Sequence, residues 1–214
     1  MYQINMNKNT TKLLGWYGSD EIHACSAWTS TNRDITPEKK ERIPKLLKML
    51  AENGHHTPFE KSSLHFLVTS DIASHIHKLK HRIGVSINGE SARYKELKED
   101  KYYIPEDWPK EWSDKLVKFN EDGNQLYHDC LNSLVNQYGI DRKRAKESAR
   151  YFKTYSSQID VDIMFNFRSF HHFQGLRNKK DAQKEIRDVA NDMLELVKSI
   201  ENNPFKYTLE AFGY

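Results

Sequence analysis

Apolar residues recur along the chain with two different periods, and each period predicts one type of element. Alternating apolar and polar residues over 64–68 and 159–163 indicate two half-buried strands, and a third is predicted around residues 13–17. Apolar residues three and four positions apart predict helices over 37–53, 112–138 and 181–200, because that spacing puts them on one helical face. Shorter helices are predicted after Ser19 and Asp141, whose side chains can cap a helix.

For two helices the sequence also predicts which residues face inward. In the helix over 112–138 the inward residues are Leu116, Phe119, Leu126, Cys130, Leu131 and Leu134, and Gly123 is a weak point. A further helix is predicted to begin at Ser70, to bury Ile72, Ala73, Ile76 and Leu79, and to end at Gly84. Lys78, Lys80, His81 and Arg82 then occupy its last turn, where the helix dipole favours cations. Asn88-Gly89 predicts a turn.

Length and composition indicate one soluble domain over residues 1–214. The chain has 214 residues, of which 37% are apolar and 29% charged, an ordinary balance for a globular protein. Its net charge of +3 permits anionic small ligands and argues against a nucleic-acid-binding protein. No stretch has the length of a signal peptide core or of a membrane span. Cys25 and Cys130 form no Cys-x-x-Cys motif, which favours a cytoplasmic location.

Cations, a hydroxyl group and a glycine are concentrated between residues 80 and 93. Lys80, His81 and Arg82 precede Asn88-Gly89, and Glu90, Ser91 and Arg93 follow it. Arginine offers a forked donor set and glycine lets a ligand approach the backbone. The cluster therefore suits a phosphate or another planar anion, although a helix with a basic end explains its sign equally well.

Two further segments are rich in groups that can bind ligands. Residues 54–60 read Gly-His-His-Thr-Pro-Phe-Glu, which in isolation is a polar turn fixed by Pro58. Residues 166–177 read Asn-Phe-Arg-Ser-Phe-His-His-Phe-Gln-Gly-Leu-Arg, which in isolation is a loop basic enough to be soluble and aromatic enough to pack. The aromatic segment 205–214 suggests no chemistry.

Together these segments resemble the flavin-dependent thymidylate synthases. The family signature, Arg-His-Arg, usually seven residues, then Ser-x-Arg, corresponds to Lys80-His81-Arg82, eight residues, then Ser91-Ala92-Arg93. The family's Gly-His-x-Thr-Pro-x-Glu corresponds to residues 54–60, and its Asn-x-Arg-Ser-x-x-x-Phe-x-x-Leu-Arg to residues 166–177. An Ala-Arg sixteen residues before the Asn corresponds to Arg150, but the family's Leu-Pro that follows it is replaced around Lys153-Thr154.

The resemblance implies a role for each matching residue. Expected FAD-binding residues are Ser30, Thr57, Glu60, Lys80, His81, Arg82, Glu90, Asn166, Arg168 and His172. Expected residues for dUMP are His77, Lys80, Glu90, Ser91, Ala92, Arg93, Arg150 and Arg177, with Arg177 on the uracil ring as the catalytic residue. His77 stands where the family has Gln, and its two ring nitrogens can replace the amide or alter base preference.

The implied reaction is reductive methylation of dUMP to dTMP, with methylenetetrahydrofolate as carbon donor and NADPH as reductant of FAD. The resemblance also implies an α/β (α+β) fold with a central mixed or antiparallel sheet flanked by long helices. It further implies a homotetramer whose active sites are shared between subunits. No protein nucleophile is needed and no metal is expected, although His77 and His81 are four residues apart. Two alternatives stay open: a methylase of another pyrimidine nucleotide, and a nucleotide- or flavin-binding homologue without activity.

Overall fold

The computed structural model describes residues 8–91 and 93–214. In chain order the strands and helices are β1 (Thr10–Tyr17), α1 (Asp20–Trp28), α2 (Pro37–Glu52), β2 (Ser63–Asp71), α3 (Ile72–Lys78), β3 (Val85–Gly89), α4 (Lys110–Asn136), α5 (Arg142–Ala149), β4 (Gln158–Phe165), α6 (Phe167–Arg177), α7 (Lys184–Lys198) and α8 (Lys206–Ala211). Two 3₁₀ turns, Thr57–Glu60 and Arg150–Phe152, complete the list. No helix in these residues combines the length and apolar character that crossing a bilayer requires.

The four strands form one sheet in the order β1-β2-β4-β3. Between β3 and β4, the backbone N–H of Glu90 donates to the carbonyl of Asp160 at 2.8 Å, and that of Asn166 donates to Gly84 at 3.0 Å. Residue numbers rise on one strand as they fall on the other, so this pair is antiparallel. The predicted α/β fold with a central antiparallel sheet and flanking helices is confirmed. A single domain over 1–214 stays a prediction.

The described residues form two compact units. One comprises the residues up to Thr10, Thr69–Lys78 and Asn88–Val161, and the other comprises Thr11–Val68, Leu79–Ile87 and Asp162–Tyr214. In the first unit α4 packs on α5 around Tyr127, Leu131, Ala145 and Ala149. Small residues on α5 let the two helices approach closely.

The core of the second unit is aromatic. Phe59, Phe66, Phe165, Phe167, Phe170, Phe173 and Phe205 are fully buried. The ring of Phe66 stacks on that of Phe170 with centroids 5.9 Å apart, and Phe165 lies 5.2 Å from Phe173. Both Phe170 and Phe173 lie on α6, so the buried face of this helix fixes the direction of its other face.

The helix predicted from Ser70 to Gly84 is wrong at both ends. Ser70 is the penultimate residue of β2, and α3 runs only from Ile72 to Lys78, with Asp71 Oδ1 accepting from the N–H of Ser74 at 2.7 Å as its cap. Lys80, His81 and Arg82 therefore follow the helix instead of forming its last turn. The expected inward residues Ile76 and Leu79 are exposed, whereas Ser74 and Lys78 are buried.

The inward face predicted for α4 is partly wrong. Phe119 and Leu126 are 63% and 49% exposed, and the buried residues are Asn120, Asn124, Tyr127 and Leu131. Periodicity alone missed this, because the buried asparagines bond to other residues of the first unit: Asn120 Oδ1 accepts from Thr154 and Asn124 Nδ2 donates to the carbonyl of Asp100.

Two other segments also differ from the sequence predictions. Asn88-Gly89 ends strand β3 instead of forming a turn, and residues 167–177 form helix α6 instead of a loop. The aromatic tail, for which no element was predicted, contains helix α8. Contacts with residues far away in the sequence decide these conformations, and local sequence patterns do not reveal such contacts.

Candidate active site

The second unit contains a cavity of about 870 Å³. Its lining comes from the turn at residues 56–60, the segment 80–85 that follows α3, and α6. Seven predicted site residues are among those that line it: Glu60, Lys80, His81, Arg82, Arg168, His172 and Arg177. Residues almost a hundred positions apart in the sequence thus share one cavity of the size typical for small-ligand sites.

The start of α6 is built by local hydrogen bonds. Asn166 caps the helix, its Oδ1 accepting from the N–H of Ser169 at 2.8 Å. Ser169 Oγ in turn donates to the carbonyl of Ile83 at 2.6 Å. Asn166 therefore acts as a helix cap that places Arg168 at the cavity. Asn166 itself does not line the cavity.

Gly84 permits this close packing of segment 80–85 on α6. Its φ is +64°, and a Cβ there would lie 2.2 Å from Asn166 Nδ2 and 2.4 Å from Ser169 Oγ. A side chain would therefore face both an unfavourable backbone conformation and a clash.

Arg177 and His81 are joined across the cavity lining. Arg177 Nε donates to His81 Nε2 at 3.0 Å. Burial, followed by the charges of Arg177 and His172, lowers the pKa of His81 to about 4. The imidazole is thus neutral near pH 7 and can accept this hydrogen bond, which a protonated ring could not.

The cavity is strongly cationic. Lys80, Arg82, Arg168 and Arg177 face a single carboxylate, Glu60. Arg168 Nη1 donates to Glu60 Oε1 at 2.5 Å, which holds the guanidinium beside the turn at residues 56–60. The excess of forked cationic donors fits a ligand that carries phosphate groups.

This donor set fits a flavin dinucleotide. The cations suit its pyrophosphate, and the rings of His81 and His172, 5.8 Å apart, offer flat partners for an aromatic system. The buried Phe173 supports His81 by an edge contact at 4.9 Å. No group of three potential metal ligands occurs among residues 8–91 and 93–214.

Besides Asn166, three predicted flavin contacts lie outside this cavity lining. Ser30 is exposed beyond the end of α1, and its Oγ donates to the carbonyl of Ala27 at 3.1 Å. Thr57 is exposed at the start of its 3₁₀ turn. Glu90 belongs to the first unit, where its carboxylate pairs with Lys95 at 2.6 Å. Their predicted roles stay predictions.

The first unit carries most of the residues predicted to bind the nucleotide. His77 lies on α3, Arg150 is exposed at the start of its 3₁₀ turn, and Ser91 Oγ accepts from the N–H of Arg93 at 3.3 Å. Arg93 Nε donates to Glu147 Oε1 at 2.7 Å, which raises the pKa of Arg93. Ala92 lies outside the described residues.

The cavity residues that the sequence analysis missed include two histidines. His56 and His171 line the cavity beside the predicted residues. The runs His55-His56 and His171-His172 were a visible signal, but both residues occupy positions that the motifs leave unspecified. Only the tertiary structure brings them together.

A sequence profile of the family described as thymidylate synthase complementing protein matches residues 12–201. The flavin-dependent thymidylate synthase of Thermosipho africanus is 34% identical over 222 residues, which cover 99% of this chain and 93% of that protein. The protein of the same name from Clostridium tetani is 32% identical over 79% of this chain and 72% of its own length.

Solved structures share the fold. The UMP/dUMP methylase PolB from Streptomyces cacaoi, in a crystal structure with 5-Br dUMP, superimposes with a TM-score of 0.77 over 96% of this chain and 94% of that chain. Its sequence is 24% identical, so this likeness shows the fold alone.

Proposed function

The chain belongs to the flavin-dependent thymidylate synthase family, and from that premise we propose that it methylates dUMP to dTMP. Methylenetetrahydrofolate supplies the carbon and NADPH the hydride. The products are dTMP, tetrahydrofolate and NADP⁺, with one proton taken up. Lys80, Arg82 and Arg168 would hold FAD in the cavity, where it would supply the redox chemistry that links NADPH to the nascent methyl group. The observation that carries the proposal is the single cavity on which Arg82, Arg168 and Arg177 converge.

Cationic side chains of the second unit hold the cofactor. Lys80, Arg82 and Arg168 bind its pyrophosphate, since they supply the positive charge that this group requires. His81 is buried and held by Arg177, so its ring has a fixed orientation for the flavin. Glu60 keeps Arg168 in place through the bond at 2.5 Å.

Residues of the first unit bind the nucleotide. Ser91, Arg93 and Arg150 contact its phosphate, and His77 contacts the base, as their motif positions imply. Arg93 is paired with Glu147 in the structure, so the phosphate takes the place of a carboxylate at the same guanidinium.

Arg177 acts on the uracil ring. C5 of uracil must become electron-rich to attack the incoming carbon, and negative charge then develops on the N3/O4 side of the ring. Arg177 stabilises that charge from a half-buried position that strengthens electrostatic interactions.

The purified protein tests this function directly. We expect a yellow protein whose flavin absorbance is bleached by NADPH under anaerobic conditions. With methylenetetrahydrofolate present, it should release tritium from dUMP labelled at C5. A protein that binds flavin and nucleotide but releases no tritium would instead be an inactive homologue, and one that binds neither would refute the proposal.

A second candidate substrate is another pyrimidine nucleotide, and His77 is the residue that favours it. The donor and acceptor nitrogens of imidazole point in different directions, whereas an amide presents its donor and acceptor side by side, so the contact to the base can differ from that of the family. Tritium release from labelled UMP and dUMP, compared at equal concentrations, decides between the two. Faster tritium release from UMP would show that UMP, and not dUMP, is the preferred substrate.

We propose that the enzyme is a cytoplasmic homotetramer of single-domain chains with shared active sites. Cys25 and Cys130 are free, as in a reducing compartment. On α4 the exposed apolar residues Trp112, Phe119 and Leu126 recur every seven positions. Such a stripe on a long helix is a surface that a second helix covers.

A further inference from the structure

His56 and His171 stand together at the cavity although neither belongs to a specified motif position. Their ring centroids are 5.9 Å apart and their planes are nearly perpendicular, at 87°. His56 comes from the turn that carries Glu60, and His171 comes from α6, between Arg168 and His172. The pair therefore joins two of the three segments that line the cavity.

The end of the described chain holds this pair in place. The ring of Phe212 stacks on His171 with centroids 4.2 Å apart and an interplanar angle of 27°, and it meets the edge of His56 at 5.3 Å. Tyr214 Oη lies 2.8 Å from His171 Nδ1. One imidazole is thus fixed both by a stacked ring and by a hydrogen bond.

The direction of this hydrogen bond sets which nitrogen of His171 carries the proton. The Tyr214 hydroxyl lies closer to Nδ1 than to its second acceptor, the His171 carbonyl at 3.5 Å. With the hydroxyl as donor to Nδ1, the neutral ring carries its proton on Nε2. Burial raises the pKa of Tyr214, and burial together with His56 and His172 lowers the pKa of His171. Both groups thus stay neutral near pH 7.

We propose that His171 is a cofactor-binding residue whose Nε2–H donates to an acceptor atom of the bound flavin, and that Tyr214 is the positioning residue that holds it in this tautomer. The inference rests on the proposed function. Nδ1 is engaged by Tyr214, so Nε2 is the nitrogen available at the cavity. A neutral donor complements the cations, because it recognises a carbonyl or ring nitrogen that a phosphate-binding arginine does not select.

A double-mutant cycle with FAD tests the inference. FAD is titrated into flavin-free protein and its affinity is measured from fluorescence quenching, for the wild type, Tyr214→Phe, His171→Phe and the double variant. Each single variant should bind FAD about fivefold to tenfold more weakly, as expected for one hydrogen bond. The double variant should match His171→Phe, because Tyr214 acts only through His171. Tyr207→Phe, on α8 and outside the cavity lining, is the matched control and should bind like the wild type.

The tautomer is measured independently of the variants. ¹⁵N chemical shifts of the flavin-free wild type should show His171 protonated on Nε2, and Tyr214→Phe should shift its tautomer distribution. Protonation on Nδ1 in the wild type, wild-type affinity in Tyr214→Phe, or additive losses in the double variant would each overturn the inference. A wild type that takes up no FAD would overturn the proposed function and the flavin contact together, whereas the other outcomes leave the function standing.

Discussion

Arg177 and His81 show how a single contact sets the chemistry of the cavity. Two basic side chains in contact would repel if both were charged. Burial and its cationic neighbours lower the pKa of His81 to about 4, so the imidazole accepts from Arg177 Nε instead of competing with it. The cost of keeping this histidine neutral is small at pH 7, because its ordinary pKa is already below that value.

Replacing Arg177 with Ala should lower kcat by about a hundredfold to a thousandfold, the loss typical for one well-placed donor to developing charge. The other three cations of the cavity stay, so FAD should remain bound. Steady-state kinetics and the absorbance of bound flavin measure the two effects separately. Arg42→Ala, an exposed arginine on α2, is the control. Unchanged turnover in Arg177→Ala would reject its catalytic role.

At the scale of elements, buried polar groups connect segments that apolar packing does not. In the first unit, Lys153 Nζ donates to Asp100 Oδ1 at 2.7 Å and to Asn124 Oδ1 at 2.6 Å, and it lies 4.6 Å from the ring centroid of Tyr127. Its side chain is 5% exposed. The Lys153 ammonium thus connects the loop before Lys101, through Asp100, to α4, through Asn124. The loop contains Arg93, and Lys153 follows the turn that contains Arg150.

We expect Lys153→Met to destabilise the protein by about 3 kcal/mol, because the substitution leaves the Asp100 carboxylate partly buried without its ammonium partner. Amide hydrogen exchange over residues 93–101 should become faster, since these amides lose the anchor of their loop. Chemical unfolding and exchange mass spectrometry provide the two readouts. Lys110→Met removes an exposed ion pair on the same helix and should change neither by much. Exchange equal to that of the wild type would show that other contacts hold the loop.

In the second unit, His23 connects three segments. The ring is fully buried; Nδ1 lies 2.9 Å from Thr208 Oγ1 on α8, and Nε2 lies 2.9 Å from Ser62 Oγ. Asp20 accepts from the same threonine hydroxyl at 2.6 Å. A neutral imidazole can donate through one nitrogen and accept through the other, which satisfies both contacts.

This arrangement predicts a loss of stability in mild acid. Burial lowers the pKa of His23 from 6.5 to about 4, so between these values the unfolded chain binds a proton that the folded chain does not. The contribution is complete above pH 6.5 and is lost as pH falls towards 4, by about 3 kcal/mol. The free energy of unfolding, measured by urea titration at several pH values, should depend less steeply on pH in His23→Gln than in the wild type. His55→Gln, at an exposed histidine, should keep the wild-type slope.

At the scale of the whole molecule, α4 leaves three large apolar side chains exposed to solvent. Its exposed charges form pairs four residues apart, such as Lys110 with Asp114 and Lys118 with Asp122. Between them Trp112, Phe119 and Leu126 remain open to solvent. The amphipathic pattern of α4 therefore has a second apolar side, which assembly into an oligomer would bury.

Phe119→Glu should shift the proposed tetramer towards smaller species, since a carboxylate buried in an apolar interface loses its hydration. Light scattering coupled to size-exclusion chromatography measures the mass. Gln125→Glu adds the same charge at an exposed position of α4 off the stripe and should leave the mass unchanged. If Phe119→Glu keeps the mass of the wild type, the stripe is not the tetramer interface.

The sequence by itself determined the strands around 13, 64 and 159, the long helices and the family. Strands and amphipathic helices impose local periods, and the motifs of residues 54–60, 80–93 and 166–177 are contiguous in the chain. These features depend on neighbours a few residues away, so a linear pattern contains them.

Only the tertiary structure decided which face of α4 is buried, where α3 ends, and that residues 167–177 are helical. Asn120 and Asn124 are buried because their hydrogen-bond partners lie in distant segments, and hydrophobicity alone assigns them to the surface. Likewise Phe170 and Phe173 order α6 by packing in the aromatic core. His56 and His171 became site residues because that packing places two unspecified positions on one cavity. Contacts between residues far apart in the chain carry this information, and no local period records it.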